Sequence, residues 1–216
     1  MDESDARAAI VEAAQEMERL GLNHGSAGNL SLRVSDAVLL TPSGVPSREL
    51  SPELIARMPL AGEGAFDGPL PPTSEWRFHL DIYRARTDVN AVAHMHSPYA
   101  TTIATLRREI PAVHYMIAAF GGPTVRCVDY APYGTAELSR LVVAGLIDRD
   151  GVLLANHGAI VTGANMRRTL WRAVELEALA QVFYLGALAG EPIVLSDDEI
   201  MRTVERFKNY GTRETS

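Results

Sequence analysis

Apolar residues recur at helical spacing at Ile10, Ala14, Met17 and Leu20, with Arg and Glu between them, and this predicts an amphipathic helix over 5–20 that stops at Gly21. Two short strands follow, Asn29–Val34 and Ala37–Leu40, joined by a Ser35-Asp36 turn. The Pro- and Gly-rich stretch 41–72 holds no sustained period and predicts an irregular loop with one short helix near 52–57. Thr73 or Ser74 caps a helix running to about 86, and the compact apolar run 89–93 predicts a buried strand. Pro98 opens a helix that ends near 107, short strands are predicted over 113–115 and 124–128, and Thr135 caps a helix to about 148. An apolar strand over 151–155 runs into Asn156-His157-Gly158. A long helix over 165–188 stops at Gly190, and the capping box from Ser196 to Glu199 opens a last helix through 207. Neither repeat nor linker interrupts the pattern, so a single domain over 1–216 is expected. Helices and strands are interspersed without strict β-α-β alternation, which predicts a mixed α/β fold, a sheet covered by helices, over a Rossmann fold or a TIM barrel.

Composition narrows the partners. A hydrophobic share of 47% against 22% charged residues supplies a substantial core without disulfides, and Cys127, the sole cysteine, predicts a reducing compartment. The net charge of −7, with no Lys/Arg block, argues against nucleic acid and against an anionic membrane surface. No apolar run approaches the ~20 residues of a membrane span, and the acidic Met1-Asp2-Glu3-Ser4-Asp5 start is unlike a signal peptide, so a cytoplasmic protein is expected.

The candidate chemistry begins at His94-Met95-His96, which closes the apolar run 89–93. Side chains two apart on a strand share a face, so both imidazoles can reach one ion. His157 repeats the theme: an apolar strand delivers a histidine, and a glycine follows. Three histidine nitrogens leave a coordination position open, as catalytic zinc requires, and Glu75, at the start of its helix, is the carboxylate best placed to complete the set. His24, His79 and His114 are expected to be packed or hydrogen-bonding histidines, with His79 available to support the site. Two loops rich in small residues, Gly25-Ser26-Ala27-Gly28-Asn29 and Thr41-Pro42-Ser43-Gly44, together with Thr73-Ser74 at a helix N-terminus, offer backbone N–H groups and hydroxyls to an anion. Such loops are ordinarily plain turns, but three of them beside a metal site suggest a phosphate bound by neutral donors.

These motifs resemble the class II aldolases of the L-fuculose-1-phosphate type over nearly the whole chain. The resemblance rests on the stretch from Gly21 to Asn29, Thr41 to Gly44, Ser74 to His79, His94-Met95-His96, Ile110 to Ile117, Asn156-His157-Gly158 and Lys208 to Gly211. It implies a central mixed, largely antiparallel sheet flanked by helices, of the class II aldolase/adducin-like type. It implies Zn²⁺, or another divalent transition metal such as Mn²⁺ or Co²⁺, on His94, His96 and His157, with Glu75 as the fourth ligand in the resting state. Ser26, Asn29, Ser43, Gly44, Thr73 and Ser74 would hold the phosphate of dihydroxyacetone phosphate. Tyr115, reaching a neighbouring subunit's site, would donate the proton to the aldehyde oxygen, and Tyr210 would close or orient the site. The implied assembly is a homotetramer of C4 symmetry with active sites at subunit interfaces. The implied reaction is reversible aldol cleavage of a ketose 1-phosphate, of the L-fuculose or 5-deoxyribulose type, to dihydroxyacetone phosphate and a short aldehyde. Tyr133 stands where it could tune the aldehyde pocket. Pentulose-phosphate 4-epimerases of the same superfamily carry an acid after the Tyr115 region, where this chain has Ala118-Ala119-Phe120-Gly121-Gly122. Thio-sugar dehydratases share the triad, and non-catalytic adducin-like heads lack the ligand set that is complete here. A cupin would place a Glu soon after His96, but the next one is Glu109.

Overall fold

The computed structural model describes residues 2–208. Helix α1 (Glu3–Arg19) starts where the Asp2 carboxylate accepts the Asp5 N–H, buries Ile10 and Met17, and ends as Gly21 turns left-handed at φ 71°, a region costly for residues with a Cβ. Strands β1 (Asn29–Val34) and β2 (Ala37–Leu40) form the expected hairpin, with Val34 opposite Ala37 and Ser35-Asp36 at the tip. The loop region differs from expectation. Its helical content is two single turns, Ser47–Glu49 and Pro52–Leu54, and 56–59 forms β3 (Ala56–Pro59), paired with β2. Ala-Arg-Met-Pro has little strand propensity of its own; the partner edge of β2 makes it a strand.

Helix α2 (Trp76–Ala85), strand β4 (Ala91–Met95) and helix α3 (Pro98–Thr105) follow as expected. The strand expected over 113–115 is absent. His114 accepts the Met116 N–H on Nδ1, and Tyr115–Phe120 wind into a 3-10 helix. Strand β5 (Arg126–Val128) is shorter than expected, and α4 (Ala136–Gly145) begins at the Thr135 cap. Strand β6 (Gly151–Leu154) turns back into β7 (Gly158–Gly163), which the sequence reading missed because 158–161 simply prolong an apolar run. Helices α5 (Met166–Ala189) and α6 (Asp197–Lys208) complete the fold, capped by Asn165 and by the Ser196 hydroxyl.

The seven strands lie in the order β3-β2-β1-β4-β7-β6-β5, antiparallel throughout except for the β5–β6 pair. Every residue of β4, β6 and β7 is buried, as both-face coverage requires. Strand alternation sorts the core. Leu30, Leu32, Ala93, Leu153 and Val161 pack against Ile10, Ile103, Leu176 and Ile200, on α1, α3, α5 and α6. Val38, Leu40, Val92, Leu154 and Ile160 pack on the other face against Phe78 and Ile82 of α2 and Leu138 and Val142 of α4. His94 shares the parity of Val92, so it faces α2, edge-on to the Phe78 ring.

Candidate active site and metal centre

Three adjoining backbone segments bring the histidines together. Register places His94 opposite Asn29 on β1 and Ile160 on β7, and the tight β6–β7 hairpin carries His157 at its end, closed by His157 N–H to Leu154 O. His94 Nδ1 donates to Ala159 O at 3.0 Å, which turns Nε2 inward. His94 Nε2 and His96 Nε2 lie 2.9 Å apart, and the nitrogens of His94, His96 and His157 all fall within 4.8 Å of one another. Burial and repulsion from His94 lower His96 and His157 to about 4. Both are therefore neutral at pH 7, with lone pairs available to a ligand.

Glu75 closes the cluster, with Oε2 3.2 Å from His94 Nε2 and Oε1 3.4 Å from His157 Nε2. It occupies the N-cap position of α2, one residue before the first turn in which it was expected, with φ −97° and ψ 13°. Burial pushes its carboxyl up, but His94, His157 and the Asn29 amide outweigh that and hold it at about 2. Oε1 is buried and has no hydrogen-bond partner. A carboxylate oxygen left unpaired among imidazole nitrogens is what a cation would satisfy, and three histidines with one carboxylate are a donor set that suits zinc. The residues present therefore fit a divalent metal.

A cavity of ≈ 380 Å³ opens onto Glu75, His96 and His157. Its wall contains all six residues expected to hold phosphate: Ser26, Asn29, Ser43, Gly44, Thr73 and Ser74. Hydrogen bonds lace the three segments together. Leu30 N donates to Thr41 Oγ1, Thr73 N to Thr41 O, and Ser43 N to Pro71 O. Gly28, at φ 73°, lies against Asn23, whose Cγ would sit 2.6 Å from an added Cβ, and Asn23 Oδ1 in turn accepts the His96 N–H at 2.9 Å. Asn23 thus ties the first loop to the metal strand, a link no local pattern announced. Tyr130 and Tyr133 form the outer wall, and Tyr130 was not singled out from sequence.

Tyr115 is not brought to this cavity. It is half exposed, stacked on Phe207, and lines a separate groove with Glu199, Thr203 and Arg206. Tyr210 lies outside the described residues. Glu177 was also missed. Its carboxylate accepts Ser97 Oγ, Tyr99 N and Ala100 N, fixing the chain directly after His96 at the start of α3, from 80 residues further along the sequence.

The three-layer fold brings three histidines and a carboxylate to one point that could hold a metal ion, the core of a candidate metalloenzyme site. Residues 8–184 match the family described as Class II Aldolase and Adducin N-terminal domain, and the chain belongs to that family. The family model together with the relatives named as aldolases makes this chain a class II aldolase. A 5-methylthioribulose-1-phosphate/5-deoxyribulose-1-phosphate aldolase of Rhodospirillum rubrum is 46% identical over 205 residues, which is 95% of this chain and 92% of that protein. The L-fuculose phosphate aldolase of Escherichia coli is 45% identical over 94% of each chain. A solved L-fuculose 1-phosphate aldolase superposes with a TM-score of 0.92 at 36% identity, covering 96% of this chain and 98% of that one. Among the described residues, no helix is long and apolar enough to cross a membrane.

Proposed function

We propose that the protein catalyses the reversible aldol cleavage of a ketose 1-phosphate, of the L-fuculose or 5-deoxyribulose type, to dihydroxyacetone phosphate and a short aldehyde. The observation that carries this reading is Glu75, whose Oε1 has no hydrogen bond and lies 3.4 Å from His157 Nε2, in a cavity also lined by Ser26, Ser43, Thr73 and Ser74. His94, His96 and His157 would hold Zn²⁺, or Mn²⁺ or Co²⁺, with Glu75 as a removable fourth ligand. When bound, the ion supplies Lewis acidity, polarising the substrate carbonyl and stabilising the charge left when the carbon–carbon bond breaks.

The protein's own groups do the rest. Ser26, Asn29, Ser43, Gly44, Thr73 and Ser74 hold the phosphate through neutral donors, which suits a chain of net charge −7. In the direction of synthesis, ionised Glu75 takes the proton from the carbon beside the ketone, and Tyr115 gives its phenolic proton to the aldehyde oxygen as the bond forms; cleavage runs the same transfers in reverse. Tyr115 performs this at a neighbouring protomer's site in a C4 homotetramer, a role supported by its half exposure away from its own cavity and by the exposed apolar stripe Val182, Leu185 and Leu188 on α5. Tyr210 orients that closure, and Tyr133 contacts the aldehyde. Cys127, unpaired and with its thiol pushed up to about 11 by burial and Asp129, suits a reducing cytoplasm.

The test is a retro-aldol assay of the metal-loaded protein on 5-deoxyribulose 1-phosphate, fuculose 1-phosphate and ribulose 1-phosphate, with dihydroxyacetone phosphate as the product detected. Cleavage of at least one is expected. Metal-dependent 4-epimerisation without release of dihydroxyacetone phosphate would overturn the reading.

A further inference from the structure

Glu75, His79 and Tyr83 recur every four residues along α2, and Asn29 and Ser31 stand two apart on β1, so each set lines one face of its element. The two sets interlock. Glu75 Oε2 lies 3.0 Å from Asn29 Nδ2, Asn29 Oδ1 lies 2.6 Å from His79 Nε2, and Ser31 Oγ lies 2.7 Å from His79 Nδ1 and 2.8 Å from Tyr83 OH. All five residues are buried, His79 and Ser31 completely.

Chemistry fixes the direction of every bond. A carboxylate only accepts, so the Asn29 NH₂ must face Glu75 and its carbonyl oxygen must face His79. That oxygen only accepts, so His79 carries its proton on Nε2. Burial, with repulsion from His94, lowers His79 to about 3, so the ring is neutral and Nδ1 is a bare acceptor. Ser31 therefore donates to Nδ1, and its oxygen accepts the Tyr83 O–H. Each donor points toward Glu75, and each bond polarises the next.

We propose that Tyr83, Ser31 and His79 form a one-way donor relay that locks the Asn29 amide onto Glu75 Oε2, leaving Oε1 as the oxygen that exchanges the proton with substrate. The three are positioning residues, acting through Asn29. The assignment rests on the reading of Glu75 as the proton carrier. The two carboxylate oxygens are already unequal, Oε2 held by the amide and Oε1 without a hydrogen bond. Without the His79 N–H, the Asn29 oxygen is left buried with no donor, and the amide is held from the Glu75 side alone. Supporting partners of this kind commonly change activity 10–100-fold.

The test combines ¹⁵N-histidine NMR with kinetics of the metal-loaded enzyme. The Nε2–H tautomer of His79 is expected in the wild type, and also in Ser31→Ala, where the Asn29 oxygen still accepts from it. His79→Leu is expected to lower kcat about 10–100-fold, with KM and metal stoichiometry unchanged. His79→Gln, whose amide nitrogen reaches the Nε2 position, is expected to recover most of that loss, and Tyr83→Phe to fall between. An Nδ1–H ring, a His79→Leu enzyme of wild-type kcat, or a His79→Gln enzyme as slow as His79→Leu would overturn the relay. The NMR signal needs no substrate. A wild type that shows the Nε2–H ring but cleaves no ketose 1-phosphate would refute the proposed reaction, and the relay's purpose with it. An Nδ1–H ring in an active aldolase would refute the relay alone.

Discussion

Gly158 follows His157 and opens β7 beside the end of β4, and it offers a sharp perturbation. A Cβ built there falls well inside contact distance of the Met95 carbonyl oxygen and 2.8 Å from His96 Cδ2. Carbon contacts are comfortable only near ~3.5 Å or beyond, so Gly158→Ala forces β7 and the end of β4 apart by roughly half an ångström at the least. Neither side yields cheaply, because Met95 pairs with Ala159 inside a sheet covered on both faces. Overpacking of this kind costs about 1–3 kcal/mol, and each kcal/mol lowers Tm by about 2–4 °C in a domain of this size. The metal site suffers more. Ligand distances tolerate only about ±0.2 Å, and the displaced strand carries His96 while the substituted residue follows His157. Gly158→Ala should therefore stay folded, melt several degrees lower and lose most of its metal. Thermal unfolding with and without a chelator, and metal analysis after gel filtration, measure both effects. Gly190→Ala is the control, since nothing lies within 4 Å of its added Cβ; its stability should stay within about 0.5 kcal/mol of wild type. A Gly158→Ala protein with full metal content and an unshifted Tm would refute the close-approach argument.

Three further outcomes are expected. Glu75→Gln should retain the metal on three histidines yet lose about 10²–10⁴ in turnover; wild-type rates at unchanged metal content would remove Glu75 from the proton transfer. Tyr115→Phe should slow the aldol reaction without altering metal content, and, on the proposed shared-site assembly, mixing it with Glu75→Gln should restore activity in hybrid oligomers; failure of that complementation would refute a site shared between protomers. The third outcome concerns pH. His79 binds its proton at about 3 when folded and near 6.5 when unfolded, so between those values the unfolded state holds more protons and stability falls as pH drops. In chelator-treated protein, His79→Gln should flatten the urea-unfolding stability profile between about pH 6 and 4 by about 1 kcal/mol per pH unit, the share of one proton; parallel profiles would contradict a buried neutral ring.

Much of this architecture was legible along the chain. Helical spacing at Ile10, Ala14 and Met17, the Thr135 cap, and the Ser35-Asp36 hairpin all use local rules that tertiary contacts do not override. What escaped lacked such a signal. β3 exists because β2 offers an edge, β7 hides in an apolar run, and the 3-10 turn at Tyr115 depends on a cap from His114. Among the site residues, His94 and His96 announced themselves by period two, and the small-residue loops by composition. Asn23, Tyr130 and Glu177 did not, since Asn23 and Glu177 bond to groups far away in sequence and only the fold brings Tyr130 to the cavity.

The sequence by itself determined which groups are present and which share a face: two histidines on one strand, Glu75, His79 and Tyr83 four apart on one helix, Asn29 and Ser31 two apart on another strand. Periodicity is a local property, so it survives without the fold. Only the tertiary structure decided how these faces meet. Register set Asn29 beside His94, the β6–β7 hairpin carried His157 to the same point, and packing α2 on β1 interleaved the two polar ladders into a chain of hydrogen bonds that ends on Glu75. Convergence depends on register and packing between segments far apart in the chain, and the apolar residues that fix both carry no mark of the chemistry they position.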